Sequence, residues 1–123
     1  MNYDKIKQID IENFIWVIYI GIIILSWYSN SLEKNYYINN DFISRDKYRK
    51  ILIFIFTILV IVYFYFLKSS YNDLVNLNYY DSDKKKTLVY LSFIGSLLIF
   101  ISGIIFLYIA YSDEELNVEI AFN

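Results

Sequence analysis

The chain has 123 residues, enough for one domain, and its hydrophobic fraction is 58%, above the roughly 45–50% of typical soluble domains. The net charge is -2, so no basic excess indicates a nucleic-acid partner. The sequence contains neither histidine nor cysteine, which excludes disulfides, thiolate chemistry, Cys/His zinc sites and catalytic groups built on imidazole. The lack of proline and the presence of only 3 glycines favour long uninterrupted helices.

The first apolar run covers residues 13–32, which include no charged side chain. A helix needs about 20 apolar residues to span a bilayer, so the run predicts a transmembrane helix over approximately 8–30. A cleaved signal peptide is the alternative, since the apolar core is short enough for one. Acidic residues precede that core, however, and the bulky Trp27 stands where small residues are needed.

The second run, ILIFIFTILVIVYFYFL, covers residues 51–67 and lies at the lower length limit for a spanning helix. A helix over approximately 41–72 is expected, because neither glycine nor proline stops it before Asp81, and Asn40 or Asp41 could cap its start. The β-branched and aromatic residues would also suit a buried strand. Length and flanking charges favour the helix.

The third run, residues 87–112, is uncharged and mostly apolar, with three lysines before it and three acidic residues after it. It predicts the clearest spanning helix, over 83–112, with Ser82 or Asp83 as the cap. Aromatic residues near helix ends are expected to anchor the first and third helices at the two membrane interfaces. These anchors are Trp16, Trp27, Tyr90 and Tyr108.

Small residues recur on one face of the third helix at helical spacing. The predicted stripe is Ser92, Ser96, Ile99, Gly103, Phe106 and Ala110, with Gly95 and Ser102 beside it. Small side chains let helix backbones approach closely in lipid. We expect this stripe either to pack against the other helices of the same chain or to dock a second subunit or partner.

The C-terminal residues ELNVEIAFN alternate between apolar and polar side chains. A period of two predicts an extended strand, and an isolated strand needs a sheet edge to which it can add. Its apolar face would be a partner-binding tail made of Leu116, Val118, Ile120 and Phe122. The alternative is an amphipathic end that frays or lies on the bilayer surface.

The predicted fold is therefore all-α: a single integral membrane domain over residues 1–123, with three transmembrane helices and a short extended tail at 113–123. Basic residues divide almost equally between the two sides, so the positive-inside rule only weakly favours a cytoplasmic N-terminus in the cell membrane and leaves dual insertion open.

The expected function is that of a non-enzymatic membrane protein that binds another protein, as an accessory subunit or an immunity-type factor. Its partners would be the lipid bilayer and either a membrane protein or a second copy of the chain, with no nucleic acid, cofactor or metal. In hydropathy alone, the chain resembles some phage holins and small bacteriocin-immunity proteins. The alternative is a small homo-oligomeric pore, a holin-like protein or a transporter, which would need a polar stripe lining a lumen.

Overall fold

The computed structural model describes residues 2–120, and this part of the chain forms three α-helices and no strand. The helices are α1 (Tyr3–Asn39), α2 (Phe42–Val75) and α3 (Asp83–Ser112). Each one is long and apolar enough to cross a membrane. The all-helical class predicted from the sequence is confirmed, and the strand alternative for residues 51–67 is wrong.

Side-chain caps set several of the helix ends. The Asn2 carboxamide accepts a hydrogen bond from the Lys5 amide at 3.1 Å, so α1 begins well before residue 8. Asn40 ends α1 in the left-handed conformation, with φ of 52°, a geometry that asparagine tolerates better than most residues. Ser82 caps α3 by accepting from the Lys85 amide at 3.1 Å, and it is one of the two caps, Ser82 or Asp83, that the sequence predicted.

The described chain divides into two compact units. The first unit comprises α1, the beginning of α2 up to Ile55, and the tail from Glu115. The second unit runs from Phe56 to Glu114 and therefore contains the rest of α2, the connection that follows it, and α3.

In the second unit, aromatic rings pair along an antiparallel contact between α2 and α3. The ring centroids of Tyr71 and Phe93 are 6.1 Å apart, those of Phe64 and Phe100 5.8 Å, and those of Phe56 and Phe106 5.7 Å. The residue number falls on α2 as it rises on α3, which fixes the antiparallel direction. The tilted ring geometries are those that aromatic pairs favour.

In the first unit, α1 exposes most of its apolar side chains, and only Ile15 and Ser29 are buried on it. Within the apolar run 13–32, the exposed large apolar side chains are Phe14, Trp16, Val17, Ile20, Ile23, Ile24, Trp27 and Tyr28. A continuous apolar surface of this kind is rare on a protein that faces water on all sides. Its composition suits contact with lipid.

Candidate interaction site at the α1–α2 turn

The predicted stripe on α3 coincides only partly with the face that meets α2. Gly103 and Ala110 are buried, and the hydroxyl groups of Ser96 and Ser70 are hydrogen-bonded at 2.8 Å. A Cβ atom built on Gly103 would lie 2.9 Å from Cδ2 of Tyr63. This part of the stripe is therefore a packing face within the second unit.

Ser92 of the predicted stripe, and Gly95 and Ser102 beside it, take no part in that packing face, and docking of a second subunit or partner by these residues stays a prediction. Ser92 and Ser102 are exposed, and a Cβ atom on Gly95 would meet nothing within 4 Å. The contact positions on α3 are taken instead by the rings of Phe93 and Phe100. Aromatic rings fill the helix–helix gap beside the small residues, so the contact face is rotated from the one that small residues alone predict.

The four predicted interface anchors all lie on the outer surfaces of their helices. The side chains of Trp16, Trp27, Tyr90 and Tyr108 are exposed, and the Trp16 ring makes an edge contact with Tyr19 at 5.6 Å. An interface anchor must have this outward position.

The turn between α1 and α2 is held by a polar network. The Asn35 carboxamide donates to Oδ2 of Asp41 at 3.0 Å and to Oγ of the buried Ser44 at 2.8 Å. Ser44 in turn donates its hydroxyl proton to Oδ2 of Asp41 at 2.9 Å. This Ser44 bond is the main cause that lowers the pKa of Asp41 below its usual value of 3.8. Asn35 therefore ties the end of α1 to the start of α2.

An arginine and two aromatic rings cover the same turn. The Arg45 guanidinium lies 5.8 Å from the ring centroid of Tyr36 and 5.0 Å from that of Phe42. It also forms an ion pair with Asp46 at 3.5 Å. These cation–π distances are short enough to stabilise the cluster and to hold the arginine in one place.

A carboxylate and a buried tyrosine lie one helical turn away from this cluster. Tyr48 is only 4% exposed, and its hydroxyl donates to the Glu33 carboxylate. Burial, with the Glu33 charge adding to it, raises the pKa of Tyr48. Burial also raises the pKa of Glu33 above 4.5; the Tyr48 hydrogen bond opposes that rise, and the Glu119 charge adds to it. Both residues lie outside the uncharged runs 13–32 and 51–67.

The described part of the tail is not an extended strand, so that prediction was wrong. The chain turns at Glu114 and Glu115, and Leu116 has a left-handed φ of 57°. The alternating pattern consequently does not form one face: Ile120 is buried, whereas Val118 is 54% exposed. Phe122 lies outside the described residues. No sheet edge exists in residues 2–120 to which a strand could add.

The tail instead contacts the end of α1. The Tyr37 hydroxyl donates to the backbone carbonyl of Leu116 at 3.3 Å. Glu119 lies close enough to Glu33 and Tyr48 for its charge to raise the pKa of both. The alternating pattern of the tail is visible in the sequence, whereas no sequence pattern predicted a role for Glu33, Tyr37 or Tyr48. The one sequence feature that indicated an ordered turn between α1 and α2 was the predicted helix cap at Asn40 or Asp41.

The comparisons add no function to this geometry. No protein-family model matches the sequence, and neither a curated protein nor a solved structure matches it. Among residues 2–120, no group of three or more acidic side chains could hold a metal ion. The class that the chain itself defines is an all-helical protein with three helices suited to a membrane.

Proposed function

We propose that this protein is a small multi-pass integral membrane protein that binds another protein at the membrane, as an accessory subunit or an immunity-type factor, and catalyses no reaction. The protein would lie in the cell membrane with a cytoplasmic N-terminus. Binding would use the surface at the α1–α2 turn together with the tail, a surface that is partly to fully exposed. We call this the turn surface; it consists of Tyr36, Tyr37, Phe42, Arg45, Leu116 and Val118.

The observation that carries the proposal is the contact between the tail and the α1–α2 turn. In a chain that crosses a membrane three times, the first connection, which is the α1–α2 turn, lies on the same side of the membrane as the C-terminus. The hydrogen bond between Tyr37 and Leu116 supports this arrangement, because it holds the tail beside the α1–α2 turn. The apolar exposed surface of α1 supports lipid contact independently.

The composition of the turn surface supports a protein partner. Tyrosine and arginine are enriched among the residues that contribute most to protein–protein binding. Tyr37 and Phe42 are more than half exposed, while Arg45 and Asp41 fix the backbone and side chains around them. Such a surface is preorganised, and this lowers the entropy cost of association.

Affinity capture from solubilised membranes tests the partner. A tagged wild-type chain is compared with Arg45→Ala, with a chain truncated after Glu114, and with the control Lys84→Ala on α3. We expect one or more proteins to be retained by the wild type and the control and lost from the other two. Identical captured sets from all four would contradict the proposal.

Two further measurements test the membrane assignment and the rival function. We expect the protein to resist alkaline carbonate extraction and to need detergent for solubility. Liposomes containing the pure protein should stay tight to a small dye. Release of the dye would favour the pore or holin-like alternative.

A further inference from the structure

The connection between α2 and α3 displays two tyrosine rings on a fixed turn. Tyr79 is 86% exposed and Tyr80 93%, and the two rings meet edge to face at 5.5 Å. The Asn78 amide donates to Oδ2 of Asp81 at 2.8 Å. Nζ of Lys86 donates to the Tyr79 carbonyl at 3.0 Å. These bonds fix the turn with both rings exposed, a position that suits a membrane interface, because tyrosine joins an apolar ring to a polar hydroxyl.

A cavity of about 340 Å³ lies between the end of α2 and the start of α3. Its volume is at the lower end of the range for small-molecule sites, about 300–1,000 Å³. The wall is mostly apolar and includes Leu88, while charged side chains also line it, namely Lys84, Lys85 and Asp73. The uncharged run of α3 begins at residue 87, so the cavity spans the boundary between the polar and apolar parts of that helix.

The three lysines at the start of α3 differ in their partners. Lys85 forms an ion pair at 3.1 Å, and Lys86 donates to a backbone carbonyl at 3.0 Å. The side chain of Lys84 has neither an ion pair nor a hydrogen bond within residues 2–120. Its charge is therefore available to a ligand in the cavity that it lines. The ligand that a lysine attracts is an anion, and the Asp73 carboxylate would oppose it.

We propose that this cavity binds the phosphate headgroup of an anionic phospholipid, with Lys84 as the main cationic contact and Tyr79 and Tyr80 in the headgroup layer beside it. The ammonium group attracts a phosphate oxygen, and the apolar wall at Leu88 receives the first carbons of an acyl chain. Basic pockets at the ends of spanning helices recognise lipid headgroups by this chemistry. The proposal rests on the membrane assignment under the proposed function and not on the protein partner.

Native mass spectrometry of the pure full-length protein in detergent tests this lipid site. Phosphatidylglycerol and phosphatidylcholine with identical acyl chains are added separately, and the bound fraction is followed against lipid concentration. We expect phosphatidylglycerol to bind about threefold or more tightly. Inorganic phosphate is then added in competition, because a free anion offers the same oxygen chemistry. It should not displace the lipid, since it makes no contact with the apolar wall.

Charge variants with opposite expected signs locate the bound lipid. Lys84→Gln should weaken phosphatidylglycerol binding about fivefold. Asp73→Asn should strengthen it, because a carboxylate that lines the cavity is removed. Lys7→Gln and Asp10→Asn are the matched controls: they remove the same charges from exposed positions on α1 and should leave the affinity unchanged.

The tyrosine pair is tested by the same measurement. Tyr80→Ser should weaken the binding of both lipids, because the ring would pack among headgroups of either kind. Tyr3→Ser removes an exposed tyrosine of α1 and should have no effect. Circular dichroism confirms that each variant keeps its helices.

Equal binding of the two lipids by the wild type would overturn the lipid site. So would an affinity that is unchanged in Lys84→Gln and Asp73→Asn, or displacement of the lipid by inorganic phosphate. These failures leave the proposed function standing, provided that the chain resists carbonate extraction. A chain that carbonate releases would lose the membrane assignment and the lipid site together.

Discussion

Gly103 of α3 lies directly against the ring of Tyr63 of α2, so closely that an added Cβ atom would stand 2.9 Å from Cδ2 and 3.3 Å from Cε2 of that ring. Val60 closes the other side, with its Cγ2 atom 3.4 Å from the same position. Glycine is therefore needed here for close approach of the two helices, and its conformational freedom is not involved.

Gly103→Ala should destabilise the α2–α3 pair, and Gly103→Leu more so, because the ring of Tyr63 must move away from its packed position. The cost of overpacking is about 1–3 kcal/mol for a site of this kind. Gly95→Ala is the matched control on the same helix, since its Cβ would meet nothing within 4 Å. Thermal unfolding in detergent measures the difference, and equal losses at the two glycines would contradict the packing role.

The hydroxyl pair of Ser70 and Ser96 should contribute modestly to the same contact. Interhelical hydrogen bonds in membrane proteins average about 0.6 kcal/mol in double-mutant cycles. We expect Ser70→Ala and Ser96→Ala to show a coupling energy of that order. Ser102→Ala, on the exposed side of α3, should change the unfolding free energy by less. Strictly additive effects of the two alanines would mean that the 2.8 Å contact does not stabilise the pair.

The α1–α2 turn should loosen in acid. Hydrogen bonds led by that from Ser44 lower the pKa of Asp41 below 3.8. Its contribution to stability is therefore complete above that ordinary value and is lost as the pH falls through the lower folded value. The protection of the Ile43 and Ser44 amides, which donate to Asp41, should fall below about pH 4 when their exchange rates are compared with the intrinsic rate at each pH.

Asp41→Asn isolates this titration, because a carboxamide still accepts the capping bonds but carries no charge in this range. The acid-dependent part of the exchange should disappear in that variant. Asp46→Asn is the control on the next turn of α2. Persistence of the acid effect in Asp41→Asn would assign it to another carboxyl group.

Membrane topology should place the α1–α2 turn and the tail on one side and the α2–α3 connection on the other. Single cysteines at Asn39, Asn78 and Glu115 report this by reaction with an impermeant maleimide in intact cells. We expect Asn39→Cys and Glu115→Cys to be labelled from outside, and Asn78→Cys only after lysis. Opposite labelling of the first two would contradict the three-span arrangement, and partial labelling of all three would indicate dual insertion.

Composition and periodicity predicted the three helices because their apolar runs are long and uninterrupted. The burial of Gly103 and Ala110 followed from their small size. The sequence could not fix which neighbouring positions of α3 form the contact face, since Phe93 is as apolar as the exposed side chains of the same helix. The prediction of an extended strand for the tail was wrong for another reason. An alternating pattern gives no information about a distant side chain such as Tyr37, whose hydroxyl competes with strand pairing for the Leu116 carbonyl.

The antiparallel register of α2 and α3 decides how much apolar helix the two helices present at the same level. That length in turn decides which bilayer thickness would suit the pair. Lys68 lies on α2 between Phe64, which contacts Phe100, and Ser70, which contacts Ser96. The backbone of Lys68 is thus level with the uncharged run of α3. Because residues 51–67 supply only about 25 Å of hydrocarbon-compatible helix, the first turns of α3 would stand among lipid headgroups. Such a short hydrophobic length favours a thinner membrane than the average of about 30 Å.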